Sequence, residues 1–106
     1  MIEIIEQETL EGKIRKIAEH YSRRKQWLQV IEEAKELLKE LENAANPFEY
    51  EGLVYLPDNT WSEIADVIIM CAQLAMQHGK EDQVRQQLEY KVNRQLERIE
   101  QERLRC

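Results

Sequence analysis

The chain has 106 residues, 42% of them hydrophobic and 34% charged, with a formal net charge of −6. A length of this order holds one domain, so residues 1–106 are expected to form a single helical domain with its core over about 9–100. The acidic balance argues against a nucleic-acid partner, which would call for a basic footprint. Three glycines and two prolines leave few places to turn, which favours a few long helices over many short strands.

The opening residues, Met1-Ile2-Glu3-Ile4-Ile5-Glu6, carry acids and no sustained apolar run, so they do not read as a signal peptide. No stretch approaches the roughly 18 apolar residues that span a bilayer. A cytoplasmic protein without a membrane partner is expected. Cys71 and Cys106 make no metal-binding pattern and read as free thiols in a reducing compartment.

Apolar residues recur at helical spacing in four segments. The first, about 9–21, carries Leu10, Ile14, Ile17 and Tyr21 on one stripe. The second, about 23–45, has Ser22 as a candidate N-cap and Trp27, Leu28, Ile31, Ala34, Leu38 and Leu41 as its expected core face. Asn46-Pro47 ends it, because a proline drives the residue before it out of the helical region. Residues 47–59 then form a loop rich in apolar side chains (Phe48, Tyr50, Leu53, Val54, Tyr55 and Leu56), which must cover a core or wall a ligand pocket.

The third helix, about 61–78, is expected to be capped by Thr60 or Asn59 and stopped by Gly79. From Ile64 to Met76 its only polar residues are Asp66 and Gln73, so it is apolar nearly all round and is expected to lie centrally or to share a face with a second subunit. The fourth helix runs from about Glu81 to near the end. Its narrow stripe of Val84, Leu88, Val92, Leu96 and Ile99 fits a contact between subunits. Together the segments predict an all-α fold, a four-helix bundle.

The residues that point to chemistry are acids. Glu33 and Glu36 are three apart on the second helix, and Glu63 and Asp66 are three apart on the third, so each pair shares a helix face. Glutamates on helices are ordinarily solvated, and Glu32, Glu40 and Glu42 taken singly need no other reading. Asp66 is different, because a carboxylate in an apolar helix needs a cation or a wet cleft. Four or five carboxylates gathered in one cleft would repel one another until one held a proton or a divalent cation entered. All-oxygen ligation suits Mg²⁺, with Mn²⁺ as a second choice, rather than zinc. A di-iron bundle would want Glu-x-x-His pairs, and neither His20 nor His78 stands three after a glutamate.

Glu32-Glu33-x-x-Glu36, followed after 26 residues by Glu63-x-x-Asp66, resembles the signature of the MazG-like all-α nucleoside triphosphate pyrophosphohydrolases. The flanking segments, 26–31 and 65–70, fit the same context, and the resemblance covers roughly 10–99. It implies a MazG-like four-helix bundle, assembled as a dimer or tetramer, that splits a nucleoside triphosphate into monophosphate and pyrophosphate with Mg²⁺. It also implies metal ligation by Glu33, Glu36, Glu63 and Asp66, and activation of water by Glu32 or by one of those four, with Glu32 and Glu33 as the catalytic candidates. A basic and amide patch on the last helix, Lys91, Asn93, Arg94 and Arg98, resembles the family's phosphate-facing surface. Trp61, beside Glu63, is a candidate for stacking on the base, as are Phe48 and Tyr55. The competing reading is a non-catalytic helical module that binds nucleotides or another protein.

Overall fold

The computed structural model describes residues 9–44 and 56–105. Within them the backbone forms four helices and no strand: α1 (Leu10–His20), α2 (Arg23–Ala44), α3 (Asn59–Gln77) and α4 (Glu81–Leu104). No helix among the described residues is long and apolar enough to cross a membrane. The expected loop residues Phe48, Tyr50, Leu53, Val54 and Tyr55 lie outside the described residues, as does Cys106, while Cys71 is an exposed free thiol.

Local chemistry sets the helix ends. Thr9 Oγ1 accepts from the Gly12 amide at 3.0 Å and starts α1. Ser22 Oγ accepts from the Lys25 amide at 3.1 Å and starts α2, the cap expected of it. The expected cap of α3 is corrected. Asn59 and Thr60 stand inside the first turn, Asp58 holds the cap position without a side-chain bond, and Thr60 is fully buried. Asn59 uses its amide on Glu63 rather than on the backbone. Gly79 stops α3 in the left-handed region at φ 63°, where its own amide bonds to Met76 O at 3.1 Å and the Lys80 amide bonds to Ala75 O at 2.9 Å.

α3 is the shared element. α1 and α2 both pack along it, and α4 touches it near the α3–α4 turn. This central placement matches the apolar character of α3. Its last turn also finishes α1: Gln77 Nε2 donates to Ala18 O at 2.8 Å and to Tyr21 O at 2.9 Å, satisfying carbonyls that the end of α1 leaves open. Arg15 on α1 pairs with Glu81 at the first turn of α4. That guanidinium holds the Glu81 carboxyl below its ordinary value, and Glu81 and Asp82 also complement the N-terminal end of the helix dipole.

The packing corrects the expected core faces. Trp27, Leu28, Ala34, Leu38 and Leu41 on α2 are exposed, as are Leu10, Ile17 and Tyr21 on α1. The residues buried in their place are Ala18, Gln26, Thr60 and Gln73. The reason is rotational: α2 turns the face carrying Gln26, Gln29, Glu33 and Glu36 towards α3, which moves its most apolar side chains off the contact. α4 diverges after its first turns, and Val84, Leu88, Val92, Leu96 and Ile99 are uncovered among the described residues. The radius of gyration, 18.5 Å, accordingly exceeds the roughly 13 Å of a compact chain of this length.

A methyl group at position 79 would meet nothing within 4 Å, so its cost is conformational alone. Gly79→Ala should lower unfolding stability by about 1 kcal/mol, measured by urea denaturation. An unchanged midpoint would mean that the left-handed turn does not hold α3 and α4 together.

Candidate metal centre

Helices α2 and α3 run antiparallel. Gln26, near the start of α2, donates from Nε2 to Met70 O on the later half of α3 at 3.1 Å. Further along, Glu33 and Glu36 of α2 meet Glu63 near the start of α3. The facing residues recur at 3-4-3 spacing on both helices: 26, 29, 33 and 36 against 63, 66, 70 and 73. In a coiled pair these positions form the seam and are ordinarily apolar. Here amides occupy one end of the seam and carboxylates the other.

At the acidic end, one carboxylate oxygen from each of Glu33, Glu36 and Glu63 lies within 4.8 Å of the others. Two of these side chains are oriented by an amide four residues earlier on the same helix. Gln29 Nε2 donates to Glu33 Oε1 at 3.1 Å, and Asn59 Nδ2 donates to Glu63 Oε1 at 3.2 Å. The second oxygen of each, Glu33 Oε2 and Glu63 Oε2, is buried without a hydrogen-bond partner. A buried carboxylate oxygen with no donor is costly. No lysine or arginine among the described residues pairs with Glu33, Glu36 or Glu63.

Like charge dominates the electrostatics. The Glu36 carboxyl is pushed above its ordinary value, first by Glu33, then by desolvation, then by Glu63, Glu32 and Asp66. The donor set is all oxygen and anionic, with Glu33 and Glu63 half-buried and Glu36 exposed, and it is short of positive partners. Such a set fits a hard divalent cation, Mg²⁺ or Mn²⁺, which would relieve the repulsion and meet the two unpartnered oxygens.

The expected ligands thus separate. Glu33, Glu36 and Glu63 converge, while Asp66 and Glu32 contribute charge from outside the trio. Asp66 is half-buried, and Glu32 is exposed. Trp61 is exposed on α3. Lys91, Asn93, Arg94 and Arg98 lie on the exposed length of α4, and none of them bonds to the acids. Arg94 instead places its guanidinium 5.5 Å from the Tyr90 ring centroid. The sequence reading missed Gln29 and Asn59. An amide four residues before an acid, on the same helix face, is the signal that would have found them.

Comparisons with protein-family models, with curated proteins and with solved structures found no match to this chain.

The raised Glu36 gives a pH signature. The folded state holds this proton more tightly than the unfolded chain does. Stability should therefore fall as pH rises from the ordinary carboxylate range through the Glu36 titration, then level off. Glu36→Gln should remove that fall and raise the melting temperature at neutral pH in EDTA. A lower melting temperature for the variant would show that repulsion among these carboxylates is not felt.

Proposed function

We propose that this chain is an Mg²⁺-dependent nucleoside triphosphate pyrophosphohydrolase of MazG-like type. The observation that carries the reading is the pair of buried, unpartnered oxygens, Glu33 Oε2 and Glu63 Oε2, set beside Glu36. A protein that kept these helices only for structure would gain by replacing Glu33 and Glu63 with apolar residues, since a half-buried carboxylate with one oxygen left unpartnered costs stability. The order of the acids along the chain supports the same reading.

Glu33, Glu36 and Glu63 would hold the metal, with Asp66 completing the set from the next turn of α3. When bound, Mg²⁺ would supply Lewis acidity at the phosphate oxygens and screen the substrate's charge from the carboxylates. Gln29 and Asn59 fix the rotamers of Glu33 and Glu63, so the acidic end need not reorganise when substrate arrives. Glu32 and Glu33 are the proposed groups that orient and deprotonate the attacking water.

The role of Lys91, Asn93, Arg94 and Arg98 depends on assembly. Neutralising a leaving pyrophosphate requires these groups near the acids, yet α4 leaves the other helices after its first turns. A second copy covering the stripe of Val84, Leu88, Val92, Leu96 and Ile99 would bury that stripe and bring another α4 alongside. The proposed unit is therefore a homo-oligomer, a dimer or tetramer.

Two experiments test the reading. Incubation with ribo- and deoxynucleoside triphosphates should yield monophosphate and pyrophosphate only when Mg²⁺ or Mn²⁺ is present. Glu63→Gln should lower kcat at least about a hundredfold while keeping the fold by circular dichroism. Diphosphate and phosphate as products, or full turnover in Glu63→Gln, would overturn the assignment. For assembly, Leu88→Glu with Leu96→Glu should shift the sedimentation coefficient to that of a monomer and reduce turnover with all four acids intact. A wild-type protein that sediments as a monomer would refute the oligomer.

A further inference from the structure

The amide end of the α2–α3 seam opens into a cavity of about 280 Å³ between α1, α2 and α3. Ile17 lines it from α1, Tyr21 from the residue that follows α1, Gln26 and Gln29 from α2, and Met70 and Gln73 from α3. Lys25 stands at the same wall with its ammonium 4.4 Å from the Tyr21 ring centroid. Three carboxamides therefore border a cavity whose other walls are an aromatic ring, a branched aliphatic chain and a thioether. This mixture suits a planar heterocycle, with apolar surface for its faces and amides for its edge.

The three amides are not equivalent. Gln26 Nε2 donates one N–H to Met70 O and lies 3.5 Å from Met70 Sδ, and Gln29 Nε2 donates one of its two N–H groups to Glu33 Oε1. Gln73 is 1% exposed, and its Nε2 has no hydrogen-bond partner. An unmet buried donor is unfavourable unless a ligand or an ordered water meets it. Gln73 and Asp66 are also the two polar residues on the otherwise apolar stretch from Ile64 to Met76, one heptad apart on one face. The amide that costs stability thus shares a face with the acids.

We propose that this cavity is the subsite for the nucleobase of the triphosphate, and that Gln73 Nε2–H donates to an acceptor on the base edge, a carbonyl oxygen or a ring nitrogen. The inference rests on the function proposed above and deepens it. It makes the substrate a nucleotide, read at its base, rather than any condensed phosphate. The separation along the seam is consistent. Glu33 lies seven residues beyond Gln26 on α2, and Glu63 ten residues before Gln73 on α3, about 10 Å and 15 Å of helix rise. A ribose and an α-phosphate fill that gap between a base and the phosphates held at the acidic end. Gln29 joins the two ends, with its side chain on the cavity wall and its N–H on Glu33.

The test separates binding from catalysis. Uridine, cytidine, guanosine and adenosine are titrated into the wild type and Gln73→Met without Mg²⁺, followed by ¹H–¹⁵N spectra that include the side-chain amides. At least one nucleoside should shift the Gln73 and Gln26 signals in the wild type and bind at least about tenfold more weakly to Gln73→Met. The melting temperature of the metal-free variant should hold or rise, because an unmet donor has been removed. Ile17→Trp, which fills the cavity from α1, should block the same nucleoside without touching an amide. Nucleoside binding unchanged in both variants overturns the subsite, as does hydrolysis of triphosphates by a wild type that binds no nucleoside. A marked fall in the melting temperature of Gln73→Met also overturns it, since the amide would then serve the fold through an internal water. Nucleoside binding lost in both variants, with no triphosphate hydrolysed by the wild type, keeps the subsite and removes the pyrophosphohydrolase reading.

Discussion

Helix α2 meets α3 with amide and carboxylate side chains, at positions where helix pairs ordinarily place leucine and isoleucine. Burying a carboxylate in such a contact costs free energy that only a hydrogen bond or a cation returns. Glu33 and Glu63 each recover part of it by accepting one bond from an amide one turn earlier. The remaining oxygen of each does not. The seam therefore carries an unresolved electrostatic demand, and Glu36 beside it is raised in its titration by the same carboxylates.

The other contacts of the domain make such a seam tolerable. α3 is tied to α1 by Gln77, whose single amide meets two carbonyls at the end of α1. It is tied to α2 by Gln26, which reaches the Met70 carbonyl and lies within 3.5 Å of the Met70 sulfur. The left-handed Gly79 fixes where α4 departs, and the Arg15–Glu81 pair orients its first turn. These contacts are directional and few. They fix one register between the helices, and register is what brings Glu33 and Glu36 level with Glu63.

The apolar residues turned away from the seam form the second constraint. Trp27, Leu28 and Leu38 on α2 and the stripe along α4 are exposed, and a domain of this size has little stability to spare. In the proposed homo-oligomer the two constraints have one solution. A second copy would cover the apolar surface that the polar seam displaced, and it would bring basic residues of α4 into an assembly whose individual chains keep them apart from the acids.

The four helices were legible in the sequence because periodicity, Ser22 and Gly79 act within a few residues, and the acidic spacing on α2 and α3 is a local property of each helix. The cap of α3 was not legible, since Asn59 serves Glu63 across a turn that exists only once the helix has formed. The core faces of α1 and α2 were misread for a more general reason. Hydrophobic periodicity reports which side chains would leave water, and it says nothing about the rotation a helix adopts when a polar face makes the better contact. That rotation depends on residues far apart in the chain, Gln26 with Met70 and Glu33 with Glu63, as does the divergence of α4 from the acids. The sequence by itself determined the helices and the order of the carboxylates along them. Only the tertiary structure decided which carboxylates converge, which amides orient them, and that Asp66 and the basic residues of α4 stand outside the trio, because convergence is set by the packing angle and register of α2 on α3.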